Sequence, residues 1–400
     1  MAVSKTIYLD NAATTRVHPL VYAAMQPYLT EEYFNPSSLY RPAQRQKAAL
    51  EQARAYLAST IGAKASEIRF TSGGSEADNA ALKGIALASQ QKGNHIIVSS
   101  VEHHAVIESA RWLERRGFSV TYLPVDEKGA VSPVSLEKAL RPDTIAVSIM
   151  TANNEVGTVQ PIAELAAVAH QHGALFHTDA VQAYGHIPLS VAELGVDALS
   201  VSAHKFHGPK GVGFLFCKRG VKTEPLISGG AQERGYRAGT ENLAGIVGME
   251  QAARIAFGAT RNQALELQGD SPFSLAESKE HALKLRTIMR EHLENNLEGI
   301  RINGNEADCL PGILSVSFKG VSGEALLALL DQESICASAG SACASGSLEP
   351  SHVLTAMGIE PDWAKGTIRF SFSPFTQEDE VLQACSIVER SVNHLRSLQN

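Results

Sequence analysis

Residues 174–217 read ALFHTDAVQAYGHIPLSVAELGVDALSVSAHKFHGPKGVGFLFC, and this stretch decides the fold. It holds three β-rich runs, at 174–177, 198–202 and 212–216. The loop joining the last two carries Gly208, Pro209 and Gly211 and is too short for a helical crossover, so that pair is expected to be antiparallel. The wider gap between the first two fits neighbouring strands joined through other structure. Upstream, 67–71, 95–99, 119–123 and 145–149 have the same β-rich character, which makes seven candidate strands in all. Segments 76–89, 106–116 and 162–171 are Ala- and Leu-rich with helical spacing. Strands alternating with helices imply an α/β fold, with a mostly parallel seven-stranded sheet covered on both faces. Ligands of such sheets bind beyond the carboxyl ends of the strands.

The composition changes near residue 258. Residues 258–274 are polar and without clear periodicity. Beyond them the pattern reads helix 275–297, strand 313–317, helix 323–331, strand 367–371 and helix 376–398. The expected division is a large domain over 16–258 and a small α+β C-terminal domain over 259–400. Residues 1–15 could pack against either and are assigned to the small one.

At 400 residues the chain is too long for one small core. Its 44% hydrophobic and 19% charged content is that of an ordinary globular protein. A formal charge of −7 gives no support for a nucleic-acid or membrane-surface role. The five cysteines, at 217, 309, 336, 343 and 385, form no CxxC pair, which argues against a disulfide framework and a zinc ribbon. No metal is expected. Residues 1–9 lack the apolar stretch of a signal peptide, and no run approaches the ~20 residues that span a bilayer. The expectation is a soluble protein of the reducing cytoplasm.

The strand-end loops carry the chemistry. Lys205 follows the run 198–202 in Ser202-Ala203-His204-Lys205-Phe206-His207. It is either a surface lysine in a Gly/Pro turn or a Schiff-base lysine, buried enough to lose its proton. Asp179 follows the run 174–177; it either caps a helix or keeps the nitrogen of a pyridine ring protonated, so that the ring becomes an electron sink. Gln182 lies within reach of a hydroxyl on such a ring. Thr71-Ser72-Gly73-Gly74-Ser75-Glu76 joins a strand to a helix, and its small residues allow main-chain N–H groups to approach a phosphate. It is neither a Walker loop nor a full dinucleotide fingerprint. His103, just past the run 95–99, is either a plain loop histidine or a ring-stacking acid/base. Asn153-Asn154-Glu155 adds polar groups at the same edge. Five such features at successive strand ends point to one pyridoxal 5'-phosphate (PLP) site.

Cys343 lies in Ala339-Gly340-Ser341-Ala342-Cys343-Ala344-Ser345-Gly346-Ser347, a small polar segment expected to be a mobile loop that lets a thiolate travel between sites. Cys217 reads as a buried structural thiol. Cys336 reads the same way, or as a second thiol that receives sulfur from Cys343. Arg369, among the apolar neighbours Ile368 and Phe370, needs a carboxylate partner, either the chain's own or a substrate's.

Together these motifs resemble the cysteine desulfurases of the class V aminotransferase family, fold-type I PLP enzymes, over nearly the whole chain. Further matches are Tyr8-Leu9-Asp10-Asn11-Ala12-Ala13-Thr14-Thr15, Phe34-Asn35-Pro36-Ser37-Ser38, Gln232-Glu233-Arg234 and Arg237-Ala238-Gly239-Thr240. Ser341-Ala342-Cys343 is similar to the loop of the first desulfurase group, and the Arg-x-Gly-His-His-Cys signature of the second is absent. The resemblance implies removal of sulfur from L-cysteine to give L-alanine and a persulfide on Cys343. It implies Lys205 as the Schiff-base lysine, His103 stacked on the ring as an acid/base, Asp179 at the pyridine nitrogen and Gln182 at the ring hydroxyl. Gly74, Ser75, Ser202 and His204 would hold the phosphate, and Thr240 would reach the phosphate of the neighbouring subunit, so a homodimer is implied. Asn154 would belong to both cofactor and substrate sites, with Asn35 and Arg369 positioning the substrate and Arg369 gripping its carboxylate. Ser75 stands where the family often has threonine, and the hydroxyl survives. A sulfur-acceptor or scaffold protein is the implied partner, in iron–sulfur cluster assembly or another thiolation. The alternatives are a selenocysteine lyase on the same scaffold, an aminotransferase, and a non-catalytic sulfur-transfer scaffold.

Overall fold

The computed structural model describes residues 6–258, 274–339 and 351–398. Among them the strands are β1 (Ile7–Tyr8), β2 (Ile68–Thr71), β3 (His95–Ser99), β4 (Ser119–Leu123), β5 (Thr144–Ser148), β6 (Leu175–Asp179), β7 (Ala198–Ser202), β8 (Gly213–Cys217), β9 (Ile300–Asn303), β10 (Ile313–Phe318), β11 (Ile335–Cys336) and β12 (Thr367–Ser371). Seven form one sheet in the order β2-β8-β7-β6-β5-β3-β4. The pairs β3–β4, β3–β5, β5–β6 and β6–β7 are parallel. β8 runs antiparallel to both β7 and β2, as the short loop after β7 requires. The expected mostly parallel seven-stranded sheet is therefore present.

The side-chain period of two sorts this sheet's residues between two cores. Ile97, Val147, Phe176, Leu199, Phe214 and Phe216 enter a cluster with helices Arg41–Ser59, Ile162–Gln171 and Leu243–Ala256. Ile96, Val98, Ala146, Ala198 and Leu215 enter the opposite cluster, with helices Gly74–Ala88 and His104–Glu114. Burial on both faces explains why these strands read as continuous apolar runs. A third core lies between the antiparallel sheet β12-β10-β9 and helices Leu275–Asn296, Gly323–Gln332 and Glu378–Ser397.

Two departures from the sequence reading matter for the site. The strand expected to end at residue 177 runs on, because Thr178 and Asp179 continue the ladder with Leu199 and Ser200. Asp179 is thus the last strand residue, held by the sheet itself. The N-terminal segment forms β1, a two-residue parallel partner of β11, and Asp10 bridges to Ser371. The chain then turns toward the large sheet, where Thr15 N–H donates to His204 O at 2.9 Å.

Candidate active site

The helix Gly74–Ala88 begins where β2 ends, capped by Gly73 with no side-chain cap. Its first-turn N–H groups have no preceding helical carbonyl to meet, and the helix dipole makes that end attractive to an anion. Gly73 sits at φ 149°, a backbone setting that glycine tolerates and L side chains rarely adopt. A Cβ on Gly74 would lie 2.6 Å from Val181 Cγ2, so only glycine lets this turn approach the loop after β6. Ser75, Ser202 and His204 line the same end, and Thr14 Oγ1 lies 3.1 Å from His204 Nδ1. These are donors without a carboxylate among them, suited to a phosphate.

Lys205 closes a short turn after β7. Its Nζ donates to Ala12 O at 2.6 Å and Ala13 O at 2.8 Å. The matched N-terminal motif therefore fixes the amine in the cleft with main-chain carbonyls. Asp179 accepts Val181 N–H at 2.8 Å, and burial raises its carboxyl to about 6 despite the opposing pull of that bond and of Lys205. Gln182 Nε2 donates to Ala12 O at 2.8 Å.

His103 caps the helix His104–Glu114, its Nδ1 accepting Ala105 N–H at 3.1 Å. That bond leaves Nε2 to carry the proton of the neutral ring. Burial first, then the charge of Lys205, lowers His103 to about 4, so the ring is neutral at physiological pH. The main-chain carbonyl of Asn154 accepts from Arg369 Nη1 at 2.8 Å. Arg369 is buried and pairs with Asp10 Oδ1 at 2.9 Å, so the chain itself supplies a carboxylate partner.

Lys205, Asp179, His103, Gln182, Gly74, Ser75, Ser202, His204, Asn154 and Arg369 all border one cleft at the carboxyl end of the parallel strands. Another depression, lined by His18, His186, His207 and Phe375 among others, holds none of the expected site residues. Asn35 is exposed in a turn where its Oδ1 accepts Ser37 N–H at 2.9 Å, and it does not border the cleft. Thr240 is exposed and likewise absent from its own chain's cleft. Cys343 lies outside the described residues. On either side of 340–350, Ser338 exchanges main-chain bonds with Arg369, and the Ser351 hydroxyl donates to Glu155, the neighbour of Asn154.

Two acids escaped the sequence reading. Asp78, one turn into the helix Gly74–Ala88, is 1% exposed and borders the cleft. Glu102 is fully buried, its Oε1 accepting Ser99 Oγ–H at 2.5 Å and Met150 N–H at 2.8 Å. Burial is the main force raising Glu102 to about 8. The only signal in the sequence is an acid beside apolar neighbours, Ala77 for one and Val101 for the other. Because the folded value lies above the unfolded one, the stabilising contribution of Glu102 is full below the ordinary carboxylate range and fades as pH rises through about 8. The stability of the cofactor-free protein is expected to drop over that window by up to ~1.4 kcal/mol per pH unit. Glu102→Gln, which keeps the acceptor, flattens the drop in urea unfolding at stepped pH; an unchanged slope would show that Glu102 is ionised in the fold.

The residue set suits pyridoxal phosphate on its donor chemistry. Anion donors, a buried carboxylate and an amine all border the one cleft. A profile of the family described as aminotransferase class-V matches residues 7–383. The cysteine desulfurase IscS of Dictyoglomus turgidum is 47% identical over 396 residues, covering 99% of this chain and 97% of that one. The cysteine desulfurase IscS of Methanosarcina thermophila is 47% identical over 395 residues, covering 99% and 94%. The solved structure of a NifS-like protein superposes with a TM-score of 0.88 at 39% identity, covering 98% of this chain and 100% of that one. The chain belongs to the cysteine desulfurases of the class-V aminotransferase family, a PLP-dependent group.

Proposed function

We propose that the chain takes sulfur from L-cysteine, releases L-alanine and carries the sulfur as a persulfide on Cys343 to an acceptor protein. The observation that carries this reading is the convergence of an amine, a carboxylate, an imidazole and a guanidinium on one cleft. When bound, pyridoxal phosphate supplies an electron sink that makes the substrate's α-proton removable and its sulfur electrophilic. Asp179 holds the pyridine nitrogen in its protonated form, Gln182 contacts the ring hydroxyl, and Gly74, Ser75, Ser202 and His204 hold the phosphate. Thr240 reaches the phosphate of a second copy, so the active form is a homodimer.

Arg369 holds the substrate carboxylate in place of Asp10, with Asn154 and Asn35 setting the substrate's orientation. Lys205 Nζ takes the α-proton, and neutral His103 moves a proton at Nε2. Cys343 Sγ then attacks the substrate sulfur. The S–S bond forms as the substrate's C–S bond breaks, the bonding electron pair leaves with carbon, and protonation of that carbon completes alanine. The net change is L-cysteine and a thiol to L-alanine and a persulfide, with no external oxidant.

The domain division is proposed at residues 15/16 and 258/259, with the cleft bordered from both sides. Five cysteines with no CxxC pair suit a reducing compartment, for which the cytoplasm is proposed. Among the described residues no helix is long and apolar enough to cross a membrane. Iron–sulfur cluster assembly or another thiolation is the proposed destination of the sulfur. The test is to incubate the PLP-loaded protein with L-cysteine and no keto acid, then measure alanine and protein-bound persulfide. One alanine per persulfide in the first turnover supports the reading. Alanine appearing only with a keto acid would make the chain an aminotransferase.

A further inference from the structure

Asp78 has no assigned part in the chemistry, yet it lies beneath the cleft. Four groups face it: Asp179 and His177 from β6, Ser200 from β7, and Glu102 from the loop after β3. His177 Nε2 is 3.8 Å from Asp78 Oδ1, but this is not an ion pair. The ring is fully buried between Ser148 Oγ at 2.8 Å and Ser200 Oγ at 2.9 Å, and burial lowers it to about 3. Among the described residues Asp78 Oδ1 has no hydrogen-bond partner, and no cation adjoins the carboxyl.

Asp78 and Asp179 both border the cleft, and Asp78 Oδ1 lies against His177, which leaves β6 on the same face as Asp179. Two buried carboxylates at such close quarters do not both ionise, so the pair holds a proton. Asp179 has Val181 N–H and the charge of Lys205 to favour its anion. Asp78 has the Ser200 hydroxyl alone to favour its anion, with the charge of Asp179 against it. The proton therefore belongs to Asp78.

We propose that Asp78 is a positioning residue, a neutral carboxylic acid that donates a hydrogen bond to Asp179 and holds that carboxylate, ionised, toward the pyridine nitrogen. The proposal rests on the reading of Asp179 as the partner of that nitrogen. Burial, then the charge of Asp179, pushes the Asp78 carboxyl well above the usual range, which agrees with a neutral acid. The bond in turn pulls Asp179 downward, toward ionisation.

The experiment compares Asp78→Asn, which keeps an N–H donor in nearly the same volume, with Asp78→Ala, which removes it. Each is loaded with PLP; the absorption of the bound cofactor is titrated with pH, and kcat and KM for L-cysteine are measured. Asn is expected to keep the wild-type spectrum and kcat. Ala is expected to shift the spectral titration and lower kcat by about tenfold or more, with KM for cysteine little changed. An Asn variant as impaired as Ala, or an Ala variant identical to wild type, overturns the proposal. If Ala does not fold, an Asn variant with an altered spectral titration is sufficient to overturn it, and one matching wild type supports it. Asp179→Ala is run in parallel. If it leaves the spectrum untouched, the reading of Asp179 fails and takes the proposal with it; if it alters the spectrum while both Asp78 variants match wild type, only the proposal fails.

Discussion

A Lys205→Ala protein is expected to bind pyridoxal phosphate without a covalent link and to turn over L-cysteine at least ~10³-fold more slowly than wild type, since a positioned acid/base alone contributes ~10²–10⁴-fold. The expectation follows from how the amine is held. Lys205 closes the turn after β7, the strand beside β6, so it and Asp179 border the cleft at the same edge of the sheet. Two main-chain carbonyls, Ala12 O and Ala13 O, anchor Nζ. They belong to the N-terminal segment, whose Asp10 also pairs with Arg369. The amine and the guanidinium are thus tied to the same stretch of chain. Removing Lys205 leaves the phosphate end of the cleft intact, so cofactor affinity falls less than turnover. Absorbance before and after dialysis, together with alanine release, separates the two effects. Turnover near wild type would exclude Lys205 as the acting amine.

What could be read from the sequence, and what could not, divides along physical lines. Lys205, Asp179, His103 and Asn154 were legible because each lies where an apolar run gives way to polar, turn-forming residues, and in a parallel sheet those places meet at one edge. The glycine pair at 73–74 was legible for the same reason. Asp78 was not, because it lies inside a helix, where a single acid reads as solvent-facing until the sheet beneath it is known. The partner of Arg369 was not, because Asp10 is distant along the chain and nothing local links the two. β1 and β11 were missed because two-residue strands carry no period. Asn35 and Thr240 pose a different problem. Both are exposed and border no part of their own chain's cleft, and the family resemblance suggested a role for each where local pattern did not.

Cys343→Ser is expected to bind PLP and L-cysteine normally, to keep the wild-type cofactor spectrum, and to form no protein persulfide. The reason lies in the other four cysteines. Cys217 and Cys385 are buried, at 3% and 0% exposure, and burial raises both thiols, that of Cys385 to about 12. Cys309 is raised chiefly by burial. Cys336, the candidate second thiol, is raised by burial and by the nearby charges of Asp331 and Asp10. The thiolate is the nucleophile, so each of these is held in its unreactive form at neutral pH. None is therefore expected to replace Cys343, and alanine release by the serine variant should fall with persulfide rather than persist without it. Cys309→Ser is the control, expected to match wild type in both. Labelling of persulfide with a thiol-reactive probe, followed by peptide mapping after a single turnover, locates the sulfur directly. A Cys343→Ser protein that still becomes persulfidated and releases alanine at the wild-type rate would move the acceptor to another thiol, and Cys336, on the strand that pairs with the N-terminal segment, would be the next to replace.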